Sequence, residues 1–81
     1  MASARYNDSM IYYVEDENNI RDLVLYALKQ AGLEARGFAE AQSFWGACDQ
    51  EIPHLVLLDI MLPGEDGLAV LNKIRRDKRF D

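Results

Sequence analysis

One stretch of the sequence, residues 54–67, constrains the fold more than any other. It opens with an apolar run over residues 55–58, whose lack of polar alternation is typical of a strand buried on both faces of a parallel sheet. Asp59 follows this run directly, and the chain then turns through Pro63 and Gly64. Ligands of open α/β sheets bind at the carboxyl ends of the strands. Asp59 is therefore a candidate functional residue from its position alone.

The remainder of the chain alternates strand and helix patterns. Strand patterns cover residues 10–14, 34–38 and 55–58, and the second is weakened by Gly37 and so placed at an edge. Helical stripes, in which apolar residues recur at the spacing of one helix turn, cover residues 20–28, 41–48 and 68–74. The resulting order, βαβαβα, predicts an α/β fold with a parallel sheet and right-handed crossovers.

Length, charge and composition exclude several classes of protein. The chain has 81 residues, enough for one small domain, and its formal net charge of −5 disfavours a nucleic-acid-binding surface. The single cysteine, Cys48, cannot form an internal disulfide, so we expect a reducing compartment, the cytoplasm. No run is long and apolar enough for a membrane helix. Residues 1–9 lack the apolar core of a signal peptide, and we interpret them as a flexible tail ahead of one partial domain over residues 10–81.

Acidic residues follow two of the predicted strands. Glu15 and Asp16 follow the first strand, Asp59 follows the third, and a parallel sheet brings these ends to one edge. Two carboxylates about 5 Å apart repel by roughly 3 kcal/mol at an effective dielectric near 20, so either one acid holds a proton or a cation lies between them. Because no His or Cys is placed to join, the oxygen ligands favour Mg²⁺ over Zn²⁺. An acid beside Mg²⁺ can also accept a phosphoryl group.

The two acidic segments, Val14-Glu15-Asp16-Glu17 and residues 57–67, resemble the receiver domain of bacterial two-component response regulators. The resemblance implies that Asp59 is the phosphoacceptor, which takes a phosphoryl group from the phosphohistidine of a sensor histidine kinase with Mg²⁺ as cofactor. The metal ligands that it implies are Glu15, Asp16, Asp59 and the backbone carbonyl of Met61. By the same resemblance, Ile20 and Leu23 of the first predicted helix lie near the kinase-docking surface.

The resemblance also implies the fold and its departures from a whole receiver. We expect an incomplete flavodoxin-like, doubly wound parallel sheet with strand order 2-1-3 that lacks the last two βα units. The family's Ser or Thr after the fourth strand and its Lys after the fifth, which contact the phosphoryl group, have no counterpart in the sequence. The acidic motif further resembles receivers joined to winged-helix DNA-binding domains, which implies a transcriptional output in the parent protein.

Two other functions stay open from the sequence. Without a fourth strand, residues 55–58 would expose unpaired backbone groups along an apolar edge. The chain is therefore also predicted to self-associate, and the first alternative is a structural fragment without signalling activity. The second is a Mg²⁺-dependent phosphatase with an aspartyl nucleophile. It is disfavoured because such enzymes resemble a pattern with a second acid two positions after the nucleophile, where this chain has Met61.

Overall fold

The computed structural model describes residues 5–59 and 67–80, with side chains for residues 7–59 and 67–80. Strands and α-helices alternate along the chain, and a short 3₁₀ helix follows the last α-helix. The elements are β1 (Arg5–Val14), α1 (Asn18–Gln30), β2 (Glu34–Phe38), α2 (Ala41–Cys48), β3 (Glu51–Leu58), α3 (Gly67–Arg76) and the 3₁₀ helix (Lys78–Phe80). The predicted βαβαβα order is confirmed. None of the described helices has the length and apolar character needed to span a membrane.

The sheet has the order β2-β1-β3, and both outer strands run parallel to the central one. This is the 2-1-3 order expected for an incomplete flavodoxin-like fold. Val14, the last residue of β1, lies opposite both Phe38 of β2 and Leu58 of β3. Because the three strands end at the same level, the residues that follow them emerge side by side at one edge of the sheet.

Two strands begin earlier than the sequence patterns predict. β1 begins at Arg5, so residues 5–9, which the sequence analysis assigns to a flexible tail, belong to the sheet. β3 begins at Glu51 instead of at residue 55. The two extensions pair with each other, and Asn7 Nδ2 donates a hydrogen bond to Glu51 Oε1 over 2.7 Å. The extension of β1 is mostly polar and that of β3 contains Pro53, so neither shows a strand pattern in the sequence. Their pairing with each other, between residues distant in sequence, appears only in the fold.

The hydrophobic core lies on the face of the sheet that α2 and α3 cover. The rings of Tyr12, Phe38 and Phe44 form a T-shaped cluster with centroids 5.0, 6.1 and 6.2 Å apart. The stripe predicted for α2 is confirmed, since Phe44 and Cys48 are fully buried. Burial raises the pKa of the Cys48 thiol to about 12, so this cysteine behaves as a small core side chain.

Helix α1 covers the opposite face, as right-handed crossovers in opposite directions require. It approaches β2 through Arg21 and Leu25, and a Cβ atom added at Gly37 would come within 2.7 Å of Leu25 Cδ1. The stripe predicted for this helix is wrong in part, because Ile20 and Leu23 are 48% and 68% exposed. The helix therefore presents apolar side chains to solvent while a partly polar face contacts the sheet.

β3 lies at an edge of the sheet. Within residues 5–59 and 67–80, its only strand partner is β1. Leu55 is 46% exposed, and residues 56–58 are half-buried. Burial on both faces, which the apolar run predicts, is therefore wrong for the described part of the chain, whereas the exposed edge expected without a fourth strand is found there. The physical reason is that in the described residues β3 has a neighbouring strand on one side only, so no side chains of a further strand flank its own.

The 3₁₀ helix packs back onto α2. Arg79 Nη1 donates hydrogen bonds to the backbone carbonyl of Cys48 over 3.4 Å and to Asp49 Oδ1 over 3.2 Å. A cation at the carboxyl end of a helix also interacts favourably with the helix dipole. The ring of Phe80 lies edge-on to Trp45, with centroids 6.3 Å apart. These contacts hold the residues after α3 against the core.

Gly37 and Gly46 offer a matched test of how closely α1 packs on the sheet. We expect Gly37→Val to lower the free energy of unfolding by about 1 kcal/mol, because its side chain would displace the flexible ends of the Leu25 and Arg21 side chains. Gly46→Ala should raise it by about 0.5–1 kcal/mol, because the site lies inside α2 with open space around an added Cβ. Urea unfolding measures both changes. Wild-type stability in Gly37→Val would contradict a tight contact between α1 and β2.

Candidate functional site

Three carboxylates meet at the carboxyl edge of the sheet. Glu15 and Asp16 follow β1, Asp59 follows β3, and each can place an oxygen within 4.8 Å of the others. Backbone hydrogen bonds hold these strand ends: Glu15 N–H donates to the Phe38 carbonyl over 2.9 Å, and Asp59 N–H donates to the Val14 carbonyl over 3.0 Å. The structure thus brings together the acids that the sequence analysis places at this edge.

Glu15 is the buried member of the acidic cluster, by which we mean Glu15, Asp16 and Asp59. The Tyr13 hydroxyl donates to Glu15 Oε1 over 3.3 Å, and the backbone N–H of Glu17 donates to Oε2 over 3.2 Å. Burial raises the pKa of Glu15 above its ordinary value, and the side chains of Asp59 and Asp16 raise it further, against a lowering by the Glu17 N–H. The cluster therefore disfavours full ionisation by itself, and a cation would relieve the repulsion.

The chemistry of the cluster suits a hard cation. Its donors are carboxylate oxygens, which Mg²⁺ prefers over the nitrogen and sulfur ligands typical of Zn²⁺. Asp16 is exposed and Asp59 is half-buried, so an ion can reach two of the carboxylates from solvent. The remaining ligand implied by the sequence, the carbonyl of Met61, lies outside the described residues. The residues present therefore fit Mg²⁺ as far as the structure describes them.

The loop from β1 to α1 is held by a residue that the sequence analysis misses. Arg21 Nη1 donates to the backbone carbonyl of Glu15 over 2.8 Å, and Nη2 donates to Asn18 Oδ1 over 2.6 Å. Glu17 caps α1, with Oε1 accepting from the Asn19 N–H over 2.9 Å. Helical spacing alone does not distinguish Arg21 from a solvated surface charge. Its hydrogen bond to the Glu15 carbonyl depends on how the helix packs against the preceding loop.

The side chains of Ile20 and Leu23 lie in the first turns of α1, directly after the loop that carries Glu15 and Asp16. Both are exposed, at 48% and 68%. A partner that docks on this part of α1 would therefore meet exposed apolar side chains. Exposed side chains of this kind are available for contact with another protein.

The fold and the acidic cluster define a class of α/β domain with an acid at the end of its third strand. The family described as the response regulator receiver domain matches residues 11–80, and this chain belongs to that family. The parallel 2-1-3 sheet agrees with this assignment, as part of a flavodoxin-like receiver fold.

Two relatives from Pseudomonas aeruginosa are similar to the chain. The transcriptional regulatory protein GltR is 36% identical over 74 residues, which are 91% of this chain and 31% of that protein. The phosphate regulon transcriptional regulatory protein PhoB is 35% identical over 68 residues, which are 84% of this chain and 30% of that protein. The chain thus spans about a third of the length of these relatives. No solved structure matches it significantly.

The repulsion within the acidic cluster predicts the effect of removing one charge. We expect Asp16→Asn to stabilise the metal-free chain by about 1 kcal/mol, because it removes one of three mutually repelling carboxylates at an exposed, screened position. It should also weaken the stabilisation that added Mg²⁺ gives to the wild type. Thermal unfolding with and without Mg²⁺ measures both effects. Asp22→Asn, which removes an exposed charge from α1, is the matched control, and a less stable metal-free Asp16→Asn would contradict the repulsion.

Proposed function

We propose that this chain is the phosphoacceptor segment of a two-component response regulator, and that Asp59 takes a phosphoryl group from the phosphohistidine of a sensor histidine kinase. The observation that supports this most directly is the meeting of Asp59 with Glu15 and Asp16 at the carboxyl edge of the sheet. Membership of the receiver family supports the same role. On this proposal the chain is a signalling domain that accepts phosphate, not an enzyme acting on many substrate molecules.

The transfer requires an ionised, positioned acceptor. A carboxylate oxygen of Asp59 attacks phosphorus, the P–N bond of the phosphohistidine breaks, and its electron pair leaves with the imidazole, which takes up a proton. The bond from Asp59 N–H to the Val14 carbonyl fixes the acceptor to the end of the sheet. Asp59 is half-buried and so remains accessible to an incoming phosphoryl group.

Glu15 and Asp16 are proposed to hold Mg²⁺ together with Asp59 and the carbonyl of Met61. When bound, Mg²⁺ would supply positive charge to the phosphoryl oxygens and offset the repulsion between them and the carboxylates. Both carboxylate oxygens of Glu15 accept hydrogen bonds, which orient this side chain, whereas Asp16 is exposed to solvent. One oriented ligand and one exposed ligand suit a site that must admit both an ion and a phosphoryl group.

The proposed partners follow from the surface of α1 and from the relatives. A sensor histidine kinase is proposed to dock on the exposed side chains of Ile20 and Leu23, in the helix that follows the loop carrying Glu15 and Asp16. Two relatives are transcriptional regulatory proteins, which supports a transcriptional output through a winged-helix DNA-binding domain of the parent protein and a cytoplasmic location. DNA would be contacted only by that output domain, since the net charge of this chain is −5.

Chemical phosphorylation tests the proposed acceptor. Incubated with Mg²⁺ and acetyl phosphate, the chain should gain one phosphoryl group that is absent from Asp59→Asn and from samples with excess chelator. Asp8→Asn is the matched control, because it removes an exposed acid from the opposite end of β1. Intact-mass measurement and binding of beryllofluoride both report the outcome. An adduct that persists in Asp59→Asn would overturn the assignment, and steady release of phosphate without an adduct would support the phosphatase alternative.

A second candidate function is self-association through β3. We propose that two copies pair along the outer edges of their β3 strands across a two-fold axis. The observation that favours this is the edge position of β3 within the described sheet, together with the 46% exposure of Leu55. An apolar edge strand with unpaired backbone groups is a template for pairing with another chain.

Sedimentation measures this association directly. We expect the wild-type chain to form a concentration-dependent dimer that Leu55→Lys weakens, because a charge at the paired edge would be buried on association. Leu68→Lys is the matched control, since Leu68 is 58% exposed and lies on α3, outside the strand. A wild-type monomer at high concentration, or equal dimerisation of the two variants, would contradict β3 pairing.

A further inference from the structure

Tyr13 combines a buried position with a polar contact to the acidic cluster. Its side chain is 8% exposed, and its hydroxyl lies 3.3 Å from Glu15 Oε1. A phenol keeps its proton at neutral pH, so the hydroxyl donates and the carboxylate accepts. In the sequence, Tyr13 is one of several β-forming residues of β1, and nothing in that pattern indicates its contact with Glu15.

We propose that Tyr13 is a positioning residue of the metal site, whose hydroxyl holds the Glu15 carboxylate in the orientation in which it binds a divalent cation. The inference rests on the proposed function, since it assumes that Glu15 is a ligand. Tyr13 would not bind the cation itself, and would act only through its hydrogen bond to Glu15.

The Glu15 carboxylate has more acceptor positions than its two donors occupy. The Tyr13 hydroxyl donates to Glu15 Oε1, and the Glu17 N–H donates to Oε2. A carboxylate has about four lone-pair sites, so these two donors leave acceptor positions that a cation can use. The two donors lie on different segments, a strand and the following loop, and together they restrict rotation of the carboxylate plane.

The energetic consequence is preorganisation. A free glutamate side chain loses rotamer freedom when it is fixed, and a ligand that is fixed before the ion arrives does not lose this freedom on binding. Tyr13 can supply the restraint because its own ring is buried against the α1 side of the sheet. Hydrogen bonds that orient metal ligands in this way typically change metal affinity by 10- to 100-fold.

Tyr12 provides a matched control on the same strand. Its side chain is fully buried on the other face, and its hydroxyl donates to the backbone carbonyl of Glu51 over 3.1 Å, at the start of β3. Tyr12→Phe and Tyr13→Phe therefore each remove one hydroxyl from a buried ring of β1. Only the second removes a hydrogen bond to the acidic cluster.

The test is Mg²⁺ titration of the whole chain by calorimetry, at neutral pH, for wild type, Tyr13→Phe and Tyr12→Phe. We expect Tyr13→Phe to weaken Mg²⁺ binding about tenfold and Tyr12→Phe to leave it unchanged. Urea unfolding without metal provides the structural comparison, because loss of stability alone would affect both variants. Equal Mg²⁺ affinity in Tyr13→Phe and wild type would overturn the inference while leaving the proposed function intact. Absence of Mg²⁺ binding by the wild type would overturn both.

A second measurement needs no substitution that risks the fold. With tyrosine labelled by ¹³C at Cζ, Mg²⁺ should shift the resonance of Tyr13, whose hydroxyl bonds a metal ligand, and leave those of Tyr12 and Tyr26 in place. Tyr26 is 63% exposed on α1 and reports any general effect of salt. A Tyr13 resonance that does not respond to saturating Mg²⁺ would overturn the inference.

Discussion

The structure depends on one constraint, the common level at which the three strands end. Val14 lies opposite Phe38 on one side and Leu58 on the other. Beyond these pairs, the Glu15 N–H donates to the Phe38 carbonyl and the Asp59 N–H donates to the Val14 carbonyl, so the strand alignment extends to both acids. The sheet therefore forces acids from distant parts of the sequence together. Their mutual repulsion is unfavourable by itself, and the packed strands hold them there. A site formed in this way favours a cation because relief of that repulsion adds to the affinity.

The two faces of the sheet differ in how firmly they support the acidic cluster. On the α2 and α3 side, the rings of Tyr12, Phe38 and Phe44 interdigitate in a buried core. On the α1 side, the helix contacts β2 near Gly37 and leaves apolar side chains exposed. The strand that carries Glu15 and Asp16 thus stands on a packed core on one face, while the helix on the other face has apolar side chains exposed to solvent.

Sequence reasoning succeeds where the signal is local and fails where it depends on distant pairing. The apolar run before Asp59 and the spacing of Phe44 and Cys48 predict a strand and a core helix, and both are found. The early start of β1 at Arg5 has no such pattern, because its polar residues are held by pairing with the start of β3. The face that α1 turns to the sheet is also not predictable from its stripe, since Arg21 and Leu25 approach β2 at Gly37, a contact that helical spacing does not encode.

The order of strands and helices, the family of the chain and the identity of the acids at the strand ends can be read from the amino-acid sequence. They follow from hydrophobic periodicity and from short motifs, which are properties of neighbouring residues. The difference between the acids depends on the fold: Glu15 is buried and accepts hydrogen bonds from Tyr13 and Glu17, whereas Asp16 is exposed. The physical reason is that burial and hydrogen bonding depend on which surfaces meet in three dimensions. The apolar run before Asp59 illustrates the difference. Its sequence predicts a strand, and its place at the edge of the described sheet sets its exposure.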